Sequence, residues 1–132
     1  MTDSVRVTVA ISPGEALDKL AILAIKAERL ADAQKLAHVQ REAAVLQEAV
    51  APLVAAHAAA LAPLLAELGE VNLQLWEVED ALRLHERRGD FGAEFVRLAR
   101  AVYHTNDRRA ALKLAINTLL GSDIAEQKSY AA

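Results

Sequence analysis

Residues 71–113, VNLQLWEVEDALRLHERRGDFGAEFVRLARAVYHTNDRRAALK, decide the fold, and their pattern is that of two amphipathic helices joined at Gly89-Asp90. Apolar residues recur at steps of three and four on both sides of this junction, which is the period of one helix face. Polar side chains also lie on or beside these apolar stripes, where an ordinary core has apolar groups. The stretch therefore predicts helices whose packed faces hold polar residues.

The composition extends this interpretation to the whole chain of 132 residues, a length typical of one domain. The hydrophobic fraction is 54% although aromatic residues make up only 4%, so Ala and Leu carry the apolar content. Both are strong helix formers, and β-branched and turn residues are scarce. We expect an all-α fold, an antiparallel bundle of about four helices with a long helical hairpin between the second and third.

Several protein classes do not fit the sequence. The chain contains no Cys, so it offers no disulfide framework or thiolate chemistry. It lacks both the long apolar run of a membrane span and the pattern of a signal peptide, so we expect a cytoplasmic protein without membrane contact.

The net charge of −3 argues against general nucleic-acid binding, but the charge is unevenly distributed. Residues 83–113 carry eight basic residues against four acidic ones. We expect acidic and basic helices to pair with each other, and the weaker alternative is a surface that binds RNA or another anionic polymer.

Residues 5–11, VRVTVAI, alternate apolar side chains with small or polar ones, which is the period of a strand. A single strand in a helical protein has no pairing partner in its own chain. It would lie extended over the bundle, or pair with the same strand of a second subunit to form a homodimer.

Helix 1 is predicted over 12–31, where Ser12, Pro13 and Glu15 form a capping box with proline at the first helical position. Asp32 is expected to cap helix 2, predicted over 33–50.

Helix 3 is expected over 52–88, with a turn near Pro52, a kink near residue 63 and Gly89 at its end. Asp90 is expected to cap helix 4, predicted over 91–120. The apolar stripe of helix 3 is expected to include Leu68 and Val71, and the core face of helix 4 to include Phe91, Ile116 and Leu119. Residues 121–132 are a polar tail with room for one helical turn.

Polar residues of three helices could converge if the helices pack side by side. The candidate ligand-binding cluster consists of Glu15, Asp18, Glu77, Asp80, Asn106, Arg109, Lys113 and Asn117. The first interpretation is a partly buried ion-pair network that fixes helix register, since buried charges need partners. The second is a pocket in which two E-x-x-D pairs, Glu15 with Asp18 and Glu77 with Asp80, hold Mg²⁺. Arg109 or Lys113 would then bind a phosphate group.

No stretch matches a motif that specifies a reaction, so the sequence leaves open whether the protein is an enzyme and names no catalytic residue. The four His residues are scattered without metal-ligand spacing, and no glycine-rich phosphate loop is present. We expect no metal site and no cofactor, except Mg²⁺ in the pocket interpretation.

Five segments resemble, as a set, a bacterial family of small proteins classed only as a domain of unknown function. They are ISPGEALDKLAIL (11–23), KLAHVQREAAVLQ (35–47), LWEVEDALR (75–83), DFGAEFVRLARAVYHTNDRRAALKLAIN (90–117) and LLGSDIAEQKSY (119–130). The resemblance implies no activity, and only an association with glycosyltransferase and surface-polysaccharide functions. The residues that match the family pattern are Glu15, Asp18, Lys19, Trp76, Glu77, Asp80, Asn106, Asp107, Arg109, Lys113 and Asn117.

Two functions are therefore expected. The favoured one is a non-catalytic interaction or scaffold protein, a homodimer with room for a further protein partner, associated with glycosyltransferase or polysaccharide functions. The alternative is a binder or Mg²⁺-dependent hydrolase of a phosphorylated small molecule, such as a nucleotide or nucleotide sugar, that uses the polar cluster.

Overall fold

A computed structural model describes residues 4–127, and this part of the chain forms four α-helices. They are α1 (Pro13–Arg29), α2 (Ala33–Ala56), α3 (Ala58–Arg88) and α4 (Ala93–Leu120). The helices pack against one another, and α1 contacts each of the other three. The all-α prediction is confirmed.

The sequence signals at the ends of α1, α2 and α3 act as expected, except that the Glu15 carboxylate of the predicted capping box binds Lys113. The Ser12 hydroxyl accepts a hydrogen bond from the Glu15 backbone N–H at 3.1 Å, and Pro13 occupies the first helical position, where no N–H is needed. The Asp32 carboxylate caps α2 by accepting from two backbone N–H groups. Gly89 and Gly121 end α3 and α4 with φ of 65° and 71°, a conformation that glycine adopts without steric cost.

The junction between α2 and α3 lies at His57, so the turn expected near Pro52 is misplaced. Pro52 lies inside α2 and Pro63 inside α3, and the helix is interrupted between them at His57. Buried residues Val50 and Leu61 flank the break. Their burial in the core offsets the local cost of each proline.

The long hairpin of the fold is formed by α3 and α4, not by the second and third helices as expected. α3 and α4 pack along each other, and α1 packs along α2, whereas α2 and α3 touch over only a short stretch. Two antiparallel helices are joined by a loop of two to five residues. His57 is a single residue, so it is too short a loop for α2 and α3 to form such a pair. The turn at residues 89–92 is long enough.

Three expectations for the ends of α4 are wrong: Asp90 does not cap the helix, and neither Phe91 nor Leu119 lies in the core. The helix begins after Gly92, because the Asp90 carboxylate accepts a hydrogen bond from the Gly92 N–H at 3.2 Å and holds the turn outside the helix. Phe91 therefore precedes the helix, lies half-exposed and packs edge-on against Phe95. Leu119, in the last turn, is also exposed rather than part of the core face.

The core lies where α1, α3 and α4 meet, with α2 closing one side. Its fully buried side chains are Leu61, Leu68, Val71 and Ile116. The predicted stripe of α3 supplies Leu68 and Val71, and that of α4 supplies Ile116. The helical period therefore located the core residues correctly even where the helix boundaries shifted.

No residue in 4–127 forms a strand, and residues 5–11, predicted as a strand, have no regular secondary structure. Val5, Val7 and Val9 are 96%, 86% and 68% exposed, so this segment does not lie over the bundle. Pairing of this segment with a second subunit stays a prediction. Residues 121–127 contain no helical turn, and the last five residues of the predicted tail lie outside the described range.

Gly14 sets the approach of α1 to α4. A Cβ built at this position would lie 2.5 Å from the Lys113 carbonyl oxygen and 2.8 Å from Asn117 Oδ1. The Gly14 N–H donates a hydrogen bond of 2.7 Å to the same Asn117 oxygen. The two helices therefore touch backbone to backbone at this point.

Gly14→Ala should lower the free energy of unfolding by about 1–3 kcal/mol, because the new methyl group meets backbone that cannot move aside freely. Urea denaturation followed by circular dichroism measures the change. Gly69→Ala is the matched control, since nothing lies within 4 Å of a Cβ there and alanine should stabilise the helix by about 0.5–1 kcal/mol. Equal effects of the two variants would contradict the close contact.

Candidate functional site

Asp18 of α1 is the centre of the polar cluster, and its side chain is 1% exposed. The carboxylate accepts hydrogen bonds from Arg109 of α4, one from Nε at 2.9 Å and a second, short one from Nη2. It accepts a third from Asn72 Nδ2 of α3 at 3.0 Å. One buried carboxylate thus joins three helices.

Lys113 forms the second part of the cluster, one turn further along α4. Its ammonium donates to the Glu15 carboxylate at 2.6 Å and to the Glu126 carboxylate at 3.0 Å, and lies 3.9 Å from Asp18. Glu126 belongs to the segment after α4. Lys113 therefore attaches both the start of α1 and the C-terminal segment to the face of α4.

Asn106 and Asn117 complete the row on α4 at the two ends of the cluster. The Asn106 side-chain oxygen accepts a hydrogen bond from Arg109 Nη1 at 3.4 Å, and Asn117 accepts the Gly14 N–H. The spacing of three and four along α4 aligns all four side chains on the surface that meets α1.

The charges of the cluster stabilise one another. Burial raises the pKa of Asp18, but the hydrogen bonds from Arg109 and Asn72 and the charges of Arg109 and Lys113 outweigh it and hold the pKa below its usual value. Burial lowers the pKa of Lys113, yet Glu15, Glu126 and Asp18 together raise it. The hydrogen bond to Asp18 raises the pKa of Arg109. All three groups are charged at neutral pH.

Two of the eight predicted residues do not join the cluster. Glu77 is exposed and lies 3.8 Å from Arg29, a surface pair. Asp80 is exposed, and residues 4–127 provide it with no ion pair. The two E-x-x-D pairs thus do not meet, and no three acidic or histidine side chains of the described residues are arranged to hold a metal ion.

Three participants were missed by the sequence analysis. Asn72 carried a usable signal, since it lies four residues after Leu68 and four before Trp76 on an apolar stripe. Gly14 and Glu126 carried none, because glycine near a helix start is unremarkable and Glu126 lies in a segment without period. Their roles depend on how the helices pack.

The cavities beside Lys113 in the polar cluster are small. Two cavities beside Lys113 have volumes of about 20 and 60 Å³, enough for one water or a few. Ligand pockets have about 300–1,000 Å³. No buried side-chain nitrogen or oxygen in the described part of the chain lacks a hydrogen-bond partner. The charged groups of the cluster therefore satisfy one another, and the two cavities beside Lys113 are too small for an ordinary ligand.

A larger cavity lies beside the cluster, on the other side of Arg109. It has a volume of about 360 Å³ and is lined by Trp76 and Asp80, among others, but not by Lys113. Arg83 also lines this cavity. The Arg83 guanidinium nitrogen Nη2 lies 3.6 Å from the carboxylate oxygen Oε2 of Glu79 on the same helix. We call it the Trp76 cavity, and it is large enough for a small molecule.

Asp18→Asn should lower the free energy of unfolding by about 3 kcal/mol at pH 7, because it leaves the Arg109 charge without its partner. The effect should depend on pH. The folded-state pKa of Asp18 is lower than the unfolded value of about 3.9, so its contribution is complete above that pH and is lost as pH falls below it. Urea denaturation at several pH values between 7 and 3 measures both.

Asp80→Asn is the matched control and should change the free energy of unfolding by no more than about 0.5 kcal/mol, since this carboxylate is exposed. The structural role of Asp18 would be contradicted if both variants behaved alike at pH 7. It would also be contradicted if the difference between Asp18→Asn and the unsubstituted protein persisted unchanged at pH 3.

Among the described residues, no helix is both long enough and apolar enough to cross a membrane. No curated protein and no solved structure match the chain. A family described as a family of unknown function, DUF6165, matches residues 7–132, a range that includes all four helices and the whole polar cluster. The chain belongs to this family of unknown function.

Proposed function

We propose that this chain is a non-catalytic, cytoplasmic interaction protein that associates with a second copy of itself through residues 5–11. The observation that carries the proposal is the exposure of Val5, Val7 and Val9, which alternate along a segment without regular secondary structure and lie mostly in solvent. Contiguous apolar surface of this kind marks sites of protein contact.

The energetics favour such a contact. Full burial of a valine side chain contributes about 1.5–3 kcal/mol, so three valines offset a substantial part of the cost of association. The segment also has no backbone hydrogen bond within the described residues before Ser12. Unpaired N–H and C=O groups of an extended segment can pair with another chain.

The ion pairs and hydrogen bonds within the polar cluster support a structural role for its residues. A further protein partner fits the remaining exposed apolar side chains, which include Val45, Val96 and Leu114. The proposed association with glycosyltransferase or polysaccharide functions rests on the family resemblance.

We expect Val7→Lys to shift the protein towards monomer, because a lysine ammonium replaces an apolar group at the contact. Thr8→Lys is the matched control, since it adds the same charge on the opposite face of the segment. Sedimentation velocity over a range of concentrations measures the dimer fraction. Neither variant should change the core, because both side chains are exposed.

Self-association would be contradicted if the unsubstituted protein sedimented as a monomer at every concentration. Equal loss of dimer in Val7→Lys and Thr8→Lys would show instead that charge alone, not the apolar face, governs association.

A second candidate function is favoured by the Trp76 cavity. We propose that it binds a phosphorylated small molecule such as a nucleotide or nucleotide sugar, stacked on Trp76 and held by Arg83 and Arg109, which line its wall. Both guanidinium groups already face carboxylates, Arg83 near Glu79 and Arg109 on Asp18, so weak binding is expected.

Thermal unfolding with ATP, UDP-glucose and inorganic phosphate tests this second function. A ligand that binds only the folded state raises the unfolding midpoint. The rise should disappear in Arg83→Ala and persist in Arg87→Ala, a control on the same helix that does not line the cavity. Unchanged midpoints with all three compounds, or loss of the rise in both variants, would argue against the site.

A further inference from the structure

An apolar groove runs between α1 and α3 on the side away from the Trp76 cavity. It has a volume of about 380 Å³, and its walls are formed mainly by leucine and isoleucine. Three small residues, Ala21, Ala24 and Gly69, are part of its lining. No segment of the described chain covers the groove. Buried residues such as Leu17 and Leu68 form its floor, and partly exposed residues such as Leu20 and Leu65 form its walls.

We propose that residues 5–11 of one copy lie in the α1–α3 groove of a second copy, with the same contact made in return. This inference rests on the proposed self-association and names the surface that receives the segment. It follows from the apolar face of the segment, from the dimensions of the groove and from the charges at its rim.

The apolar face of the segment needs a surface. A two-stranded ribbon formed by two copies of residues 5–11 alone would leave its valines in water, and such isolated ribbons are marginal in stability. The groove supplies apolar side chains such as Leu20 and Leu65 against which the valines can pack. Its small residues leave space for β-branched side chains.

The length of residues 5–11 is close to the length of the groove along α1. Seven extended residues span about 20 Å at about 3.3 Å per residue. The lining of the groove on α1 runs from Leu17 to Glu28, which is about 16 Å at 1.5 Å per residue. The segment thus matches the groove in length.

The charges of the segment and of the groove are opposite in sign. Arg6 is the only charged residue in 4–11, and Glu28 is the only charged residue that lines the groove. The described residues provide neither side chain with an ion pair. Arg6 alternates with the valines and points away from the groove floor, and its long side chain can reach Glu28 at the rim.

The occupant comes from another copy because of the way the segment leaves α1. Ser12 is buried and fixed as the helix cap, and the adjacent Gly14 N–H is bound to Asn117. The groove begins one turn into α1, at Leu17. The chain would have to reverse at Ser12 and break this cap to reach its own groove. A reciprocal exchange between two copies requires no such change and gives a two-fold dimer.

Cysteine cross-linking tests the contact, and the absence of native Cys makes each introduced thiol unique. Val7→Cys and Ala24→Cys are prepared separately, mixed, oxidised mildly and analysed on a non-reducing gel. A mixed disulfide dimer should form at least about tenfold faster than either variant alone forms its own, since the contact raises the effective concentration of the two thiols. Thr8→Cys mixed with Ala24→Cys is the control for the opposite face and should remain slow. All three positions are exposed, so the variants should fold.

Each other outcome overturns the inference in a recognisable way. A rapid dimer of Val7→Cys alone would show that the two segments pair with each other. A fast cross-link within one chain of the Val7→Cys/Ala24→Cys double variant, without mixed dimers, would show that the segment fills its own groove. A protein that sediments as a dimer without the mixed disulfide would keep the proposed function and reject the groove. A monomer without any cross-link would reject both.

Discussion

Asp18 is a carboxylate without access to water, and its burial sets the condition that the surrounding helices must meet. Moving an ionised group out of water costs several kcal/mol even after the protein relaxes. The structure offsets this cost with three hydrogen bonds, two from the Arg109 guanidinium and one from the Asn72 amide. Each donor belongs to a different helix from Asp18, so the helices must keep one alignment for all three bonds to form.

The same alignment explains the neighbouring contacts. Gly14 precedes Asp18 by one helical turn and brings α1 against the backbone of α4, which places Glu15 within reach of Lys113. The capping-box glutamate thus binds a lysine of another helix. A buried ion pair often adds little net stability compared with an apolar core, but it penalises every other alignment. We interpret the network as the device that selects one packing for helices rich in interchangeable Ala and Leu.

The sequence predicted the parts of the fold that depend on local chemistry. Ser12, Asp32 and Gly89 act at helix ends through their own side chains or backbone, and the apolar stripe of α3 correctly indicated Leu68 and Val71. The junction at His57 was missed because core burial on both sides overrides the local preference of two prolines. Six of the eight predicted site residues belong to the network. Glu77 and Asp80 do not, since their helix turns these side chains outward, a rotation that residue spacing alone does not fix. Glu126 could not be predicted, since it reaches Lys113 only through tertiary structure.

Asp18 and Arg109 act as one unit that aligns α1 with α4. A double-mutant cycle of Asp18→Asn and Arg109→Gln, measured as free energy of unfolding in urea at pH 7, tests it most directly. We predict a coupling of about 1–3 kcal/mol, with the double variant destabilised by less than the sum of the single variants. Additive effects within about 0.5 kcal/mol would contradict the claim and would mean that each residue stabilises the fold through separate contacts.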